Sequence, residues 1–300
     1  MEHIVIVGNG MVGHHLVAQM VEQGLHQHKR ITVIGEERFI AYDRVQLSSL
    51  FSGKSHQDLM LSSENWYSEH NIHLLLGCQV THLDTKAQRL MLDEDTVLGY
   101  DKLVLATGSY PFVPPIEGKE RDGIFVYRTL DDLSSIRTAC QGAKSGAVVG
   151  GGLLGLEAAN ALRLLGLETH VVEFAPRLMP VQLDDGSGQL LKEKIESLGL
   201  QVHTSTSTER IIDGEHARHR MVLKEQLPQV PLQPEVAQQH QRQPTQSTPW
   251  DLVVGHVEQI NDLEVQGRPP LGDAVLQARW VVDGVFQTPR PPGVTPVVDD

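Results

Sequence analysis

No apolar run in the 300 residues approaches the ~20 that a membrane helix needs, so no span is expected. Cysteine is nearly absent. Cys78 and Cys140 stand far apart and in no CxxC pattern, which excludes a disulfide framework or a cysteine-held cluster and suits a reducing cytoplasm. Positive charge is short as well: 25 Lys and Arg against 38 Asp and Glu give a formal net charge of −13, so nothing favours wholesale nucleic-acid binding. The first residues enter a strand at once, without the basic and apolar regions of a secretory signal. Neither a GxSxG elbow nor an HExxH helix occurs, which leaves hydrolase readings without a site. The histidine pairs His14–His15, His26 with His28, and His216 with His219 lack partners at metal-ligand spacing and read as solvated surface residues.

Against these absences stands a glycine pattern that occurs twice. In AVVGGGLLGLEAANA, a buried-strand signal over Ala147 to Val149 runs into Gly150, Gly152 and Gly155, and then into a helix opening that contains Glu157. The next strand signal, Glu168 to Glu173, ends on an acid roughly twenty residues past the glycines, where a ribose-binding acid belongs. In a dinucleotide fingerprint the first glycine permits the turn, the second lets the backbone approach a pyrophosphate, and the third lets helix and strand pack closely. The helix N-terminus then offers free N–H groups and partial positive charge to the phosphates. The chain begins with the same grammar: strand His3 to Val7, glycines Gly8, Gly10 and Gly13, helix His14 to Glu22, strand Arg30 to Ile34, then Glu36. Glu36 reads as a second ribose acid, or else as a solvated loop acid. Two fingerprints in one chain imply two nucleotides face to face, a bound flavin and a diffusing nicotinamide.

Between them, Phe39 to Gly53 reads as a loop running into a helix; its Arg44 alone would be a surface partner of Asp43. Asp58 to Ile72 looks helical, and Arg89 to Leu92 with Thr96 to Leu98 suggests a hairpin. Tyr100 to Gly108 is a strong strand whose small end, Ala106-Thr107-Gly108, would let a cofactor lie against the backbone. The stiff stretch to Gly118, with Pro111, Pro114 and Pro115, marks a domain boundary. Helices over Asp131 to Cys140 and Asp184 to Leu198 and a strand over Leu200 to His203 complete the second unit. Past Met221 the character changes: eleven of the sixteen prolines lie in the last eighty residues, and glutamines crowd Gln226 to Gln246. The expected architecture is α/β: two Rossmann-like domains with parallel sheets, 1–118 and 119–221, the first incomplete, and an irregular, disordered tail over 222–300.

With the motifs placed, VGNGMVGHH, ITVIGEE, AYDRVQLSS, YDKLVLATGSYPFVPP, FVYRT, GAVVGGGLLGLEAANAL and ETHVVEFAPRLMP resemble the N-terminal part of the large subunit of NAD(P)H-dependent assimilatory nitrite reductases. The resemblance runs from Ile4 to Arg220, within the wider group of FAD-dependent pyridine nucleotide oxidoreductases. It implies an FAD-dependent NAD(P)H oxidoreductase passing hydride from NADH to flavin and electrons onward to an acceptor the sequence does not name. It also implies roles: Gly8, Gly10, Gly13 and Glu36 for the ADP part of FAD, Arg44, Thr107 and Gly108 near the flavin, and Gly150, Gly152, Gly155, Glu157 and Glu173 for NADH. NADPH is expected to be disfavoured, because Glu173 would repel a 2′-phosphate, with Arg177 close enough in sequence to soften that. No cysteine lies between Glu36 and Ser55, where disulfide-reducing relatives carry CxxxxC and NADH oxidases carry one, and this favours electron transfer. The resemblance stops before the segment that returns to the FAD domain. The alternative is therefore a catalytically dead nucleotide-binding remnant.

Overall fold

A computed structural model describes residues 1–93, 96–214 and 219–225, together with the backbone of the short strands at 247–250, 253–255, 258–259 and 275–277. Two parallel five-stranded sheets organise it. In the first, β1 (His3–Val7) lies between β2 (Arg30–Gly35) and β7 (Lys102–Leu105), with β3 (Ile72–Leu76) beyond β2 and β18 (Val275–Gln277) beyond β7. In the second, β10 (Ser145–Val149) lies between β11 (Glu168–Val172) and β16 (Val253–Gly255), with β12 (Gln201–His203) and β9 (Ile124–Val126) at the edges. Each sheet therefore reverses strand order at its first crossover strand, β1 or β10. In open α/β sheets ligands bind outside the carboxyl ends of the strands at that switch point.

The central strands are continuous apolar runs, as strands covered on both faces must be: Val5, Ile6, Ile31, Val33, Ala147, Val148 and Val171 are buried. Helix α1 (Met11–Glu22) covers the first sheet through Val17 and Met20, and α4 (Leu153–Leu164) covers the second through Ala158, Ala159 and Leu162. The largest apolar cluster spans both units. Tyr42, Leu47, Leu50 and Leu59 of the first meet Leu130, Leu133 and Ile136 of α3 (Leu130–Ala139) and Ala158 and Leu162 of α4. The expected boundary near Gly118 thus separates two sheets that share one core.

Several expectations are corrected. Asp58 to Ile72 is not one helix. Leu59 O accepts from Asp43 N at 2.7 Å and Leu61 N donates to Ala41 O at 2.9 Å, so this backbone pairs with the 41–43 segment, and what is helical is a 3-10 turn at Gln57–Leu59 and the short α2 (Trp66–Glu69). Arg44–Ser52 is a 3-10 helix started by Asp43, whose carboxylate accepts from Val45 N. The expected hairpin is widened by β4 (Val80–Asp84) into a three-stranded antiparallel sheet with β5 (Arg89–Leu92) and β6 (Thr96–Gly99). An antiparallel pair not anticipated from the sequence, β13 (Thr206–Asp213) and β14 (His219–Glu225), runs across the expected boundary at 221.

Beyond it, β15 (Ser247–Trp250) pairs with β14, β16 joins the second sheet, β17 (Glu258–Gln259) pairs with β8 (Tyr110–Pro111), and β18 joins the first. The region 222–300, expected to be irregular, carries these four short strands and the end of β14. β10 and β7 each have an edge open to a parallel partner, and Val253-Val254 and Val275-Leu276 are short apolar runs able to fill it. The rest of the expected tail lies outside the described residues.

Candidate functional site

The two glycine loops have the same backbone. Gly8 N donates to Ile34 O at 2.8 Å, and Gly150 N to Val172 O at 2.9 Å, so each loop is tied to the strand beside it. Gly8 has φ +115° and Gly150 has φ +113°, a region that L side chains rarely enter. A Cβ on Gly13 would overlap the Gly8 carbonyl, and one on Gly155 would overlap the Gly150 carbonyl, so the third glycine of each loop is fixed by close packing. A Cβ on Gly8 would overlap the Ala106 carbonyl, which puts the first loop directly against the Ala106-Thr107-Gly108 end of β7. The middle glycines differ in kind: a Cβ on Gly10 or Gly152 would meet nothing within 4 Å. The open face of each loop lies there.

Capping separates these two helices from the others of similar length. Thr129 caps α3 in a reciprocal capping box with Asp132, and Asp184 caps α5 (Asp185–Ser197). Helices α1 and α4 start at Gly10 and Gly152 with no side-chain cap and no acid in the first turn. Their N-terminal N–H groups are left to be satisfied from outside the protein side chains, the arrangement that binds phosphate.

The acids are placed differently. Glu173 is buried and lies against its own loop: its carboxylate accepts from Gly151 N at 2.5 Å and from Ala175 N at 2.6 Å. Arg177, expected to soften the charge there, is committed elsewhere, to Leu183 O at 2.9 Å, Pro180 O at 3.2 Å and Asp185 at 2.6 Å. Glu36 is exposed and accepts a hydrogen bond from the Tyr110 hydroxyl. Partial burial, reinforced by that carboxylate, pushes the Tyr110 phenol up to about 12.

Arg44 does not pair with Asp43. Its guanidinium donates to Glu37 at 2.5 Å and to the Arg128 carbonyl at 3.2 Å, and it lies 5.4 Å from the centre of the Tyr42 ring. Arg128 in turn donates to Ser109 Oγ at 2.9 Å, beside Gly108 with φ +71°. Arg44, Thr107 and Gly108 are thus brought to one neighbourhood, with Arg128 between them. Sequence reasoning missed Arg128 as a site residue, although FVYRT was visible as a motif. Glu157 faces the first unit: Ser48 Oγ donates to its Oε2 at 2.8 Å, and the buried Tyr127 stands beside this pair. Tyr127 and Ser48 lie within the FVYRT and AYDRVQLSS motifs, but neither was singled out as a site residue from the sequence.

His14 corrects the surface reading. It is buried, hydrogen-bonded to the Tyr67 hydroxyl at 2.9 Å, and its pKa is lowered, by burial first and by the neighbouring His15 second. Among the described residues no group of three or more His, Cys, Asp and Glu could hold a metal, and no helix is long and apolar enough to cross a membrane.

Comparison with known proteins agrees with this geometry. The model of the family "Pyridine nucleotide-disulphide oxidoreductase" matches residues 2–229. The large subunit of nitrite reductase [NAD(P)H] of Klebsiella oxytoca is 53% identical over 212 residues, covering 71% of this chain and 22% of that protein. The large subunit of nitrite reductase (NADH) of Escherichia coli K12 is 47% identical over 219 residues, 73% of this chain and 26% of that one. The chain therefore spans about a quarter of the length of these relatives. Among solved structures, the NAD-dependent persulfide reductase of A. fulgidus superposes with a TM-score of 0.73 at 25% identity, over 85% of this chain and 45% of that one.

Proposed function

The chain belongs to the pyridine nucleotide-disulphide oxidoreductase family, and on that premise we propose that it is an FAD-dependent NAD(P)H oxidoreductase of the kind found in nitrite reductase large subunits. FAD would occupy the first loop and NADH the second. The cofactors supply the chemistry: hydride passes from nicotinamide to flavin, and the two electrons go on to an acceptor. The chain supplies position and charge. The starts of α1 and α4, at Gly10 and Gly152, are uncapped and open, and this observation carries the reading: they would receive the two pyrophosphates. Gly8, Gly13, Gly150 and Gly155 set the loops. Glu36 and Glu173 are acceptors for ribose hydroxyls. Arg44, Thr107 and Gly108, with Arg128, line the flavin end, and Glu157 brings the NADH helix to the first domain.

NADH is favoured over NADPH, because a buried carboxylate repels a 2′-phosphate and Arg177 is held away from it. Nitrite itself is beyond this chain, since six-electron reduction needs metal centres and the two free cysteines cannot hold a four-iron cluster. Free cysteines also favour a cytoplasmic setting. The test is the visible spectrum of the purified chain, followed by anaerobic addition of NADH. A flavin band that bleaches with NADH supports the oxidoreductase. A colourless chain that still binds NADH identifies the nucleotide-binding remnant instead.

A further inference from the structure

We propose that Glu37 is a positioning residue of the flavin end: it fixes the Arg44 guanidinium there and sets the charge that the flavin meets. The inference rests on the reading of the first site as the FAD site with Arg44 at its flavin end. Glu36 and Glu37 are neighbours just past β2, and their carboxylates are engaged differently. Glu36 is exposed and, among the described residues, is held by the Tyr110 hydroxyl. Glu37 has both oxygens committed inside the chain: Oε1 accepts from Arg44 at 2.5 Å, and Oε2 accepts from the Tyr42 hydroxyl at 2.6 Å. The ribose role therefore stays with Glu36, and Glu37 serves Arg44.

The carboxylate is itself held from behind. Tyr42 is 4% exposed, and burial pushes its phenol well above the ordinary value, so it keeps its proton at neutral pH and donates it to Glu37. The Glu37 carbonyl accepts from Gly77 N at 3.1 Å, which ties its backbone to the end of β3. The Arg44 guanidinium lies 5.4 Å from the centre of the Tyr42 ring and donates to the Arg128 carbonyl at 3.2 Å. A planar fork held at two nitrogens and against a ring keeps one orientation. These bonds use two of its five N–H groups. Arg44 makes no other hydrogen bond among the described residues, and its side chain is 26% exposed, so donors remain that a ligand can reach. With a carboxylate 2.5 Å away, the guanidinium acts on such a ligand as half of a dipole rather than as a lone cation. Hydride adds one negative charge to a flavin, so the balance of charge here sets how easily the flavin is reduced.

The experiment measures the two-electron potential of the bound flavin in the full chain, with FAD and NADH affinities on the same samples. Glu37→Gln keeps the shape and an acceptor for Arg44 but removes the counter-charge. It should shift the ratio of reduced to oxidised flavin about tenfold upward, a change of about 30 mV. Arg44→Gln should shift that ratio about tenfold downward. The double variant Glu37→Gln/Arg44→Gln should return to within about threefold of wild type, because the two charges cancel. Asp131→Asn removes an equal charge from the exposed pair with Arg38 and should move the ratio less than about twofold. Glu37→Asp keeps the charge but shortens the reach to Arg44, and should weaken FAD several-fold. NADH affinity should hold within about twofold throughout, which also reports folding. A carboxylate that merely braces its turn leaves Glu37→Gln at the wild-type potential while Arg44→Gln shifts it. That result, or an equal shift in Asp131→Asn, overturns the proposal. Should Glu37→Gln lose NADH through misfolding, unchanged FAD affinity in Glu37→Asp overturns it. Wild-type chain that takes up NADH but no FAD overturns the reading of the first site and the inference with it. Wild type that holds FAD at a potential indifferent to both Arg44→Gln and Glu37→Gln overturns the inference alone.

Discussion

The two glycine loops share their turn, their tie to the neighbouring strand and their uncapped helix, yet the first is braced from outside and the second from within. Around Gly8 to Gly13 the supports come from distant chain: Tyr67 holds Asn9, Ala106 closes on Gly8, and Tyr110 holds Glu36. Around Gly150 to Gly155 they come from the loop that follows the next strand: Glu173 accepts from Gly151, and Met179 N donates to Gly151 O at 2.9 Å. A fingerprint thus specifies backbone geometry, while the residues around it decide how the ligand end is held. The second site is a local unit. The first depends on the assembly of its whole domain.

The comparison breaks most severely at the third glycines. Gly13→Ala and Gly155→Ala each drive a methyl into the carbonyl of the loop's first glycine. No flexible side chain can yield there, and separating strand from helix should cost on the order of 3 kcal/mol, a hundredfold or more in affinity. Because the second loop is locally supported, Gly155→Ala should abolish NADH binding and leave FAD in place. Gly13→Ala should do the reverse. Parallel titrations decide it, and loss of both cofactors in either variant would show that the shared core transmits the damage.

Acid should separate the domains next. His170 on β11 and His203 on β12 are hydrogen-bonded ring to ring at 3.2 Å, their planes 7° apart. Burial, then His203, lowers the His170 pKa to about 4; burial, then Lys192, lowers that of His203, while Glu196 opposes the shift. Glu168 lies 3.6 Å from His170 on the outer side. Unfolded histidines protonate near 6.5 and His170 only near 4, so as pH falls across that window the unfolded chain takes up a proton that the folded one refuses, and the lowered His203 acts in the same direction. Stability therefore falls with pH across that window, by roughly 2–3 kcal/mol. NADH binding should fail before FAD release. Measuring denaturant midpoints from pH 7 to 4 should give a slope that His170→Asn flattens; an unchanged slope would locate the acid sensitivity elsewhere.

Glu173→Gln sharpens the same contrast at the ligand. The amide has one acceptor where the carboxylate has two, and it turns an N–H toward a backbone N–H. Losing one buried charged bond costs ~1.5–3 kcal/mol, so NADH affinity should fall roughly ten- to a hundredfold. NADPH should gain little in absolute terms, since Arg177 stays on Asp185 and two carbonyls. A Glu173→Gln chain that binds NADPH as tightly as the wild type binds NADH would mean that Arg177 lets go.

Much of this was legible because it is local. Strand, glycines, helix and acid lie within about thirty residues in each half, and apolar runs such as Ile31 to Ile34 mark strands buried on both faces. What escaped was set by partners far along the chain. The Asp58 to Ile72 stretch has helical content, but Leu59 and Leu61 bond to the backbone at 41–43. His14 is a surface residue by its spacing and a buried one by Tyr67, fifty-three positions away. Arg128 sits near Gly108 only because the connector folds back; the apolar stretch Asp251 to Val254 overlaps β16, but β18 finds its place through a sheet edge that no local pattern announces.

The smallest effect is expected where the two domains touch. Ser48 Oγ donates to Glu157 at 2.8 Å, from the 3-10 helix of the first domain to the helix that starts the second site. Both groups are partly exposed, so water can replace the serine, and Ser48→Ala should cost only about 0.5–1.5 kcal/mol of stability. Arg137, which donates to Leu50 O at 2.6 Å, and the shared apolar cluster keep the domains together without it. What the serine does hold is the direction of the Glu157 carboxylate, which the proposed reading sets between the two cofactors. Ser48→Ala should therefore leave FAD and NADH affinities within about twofold, a change near 0.4 kcal/mol, and slow the NADH-dependent bleaching of the flavin by several-fold. Stopped-flow reduction under anaerobic conditions measures this directly. A rate equal to wild type would reduce the bond to a tie between domains, and the contrast between an externally braced and a self-contained loop would then have no consequence for the passage of hydride from one to the other.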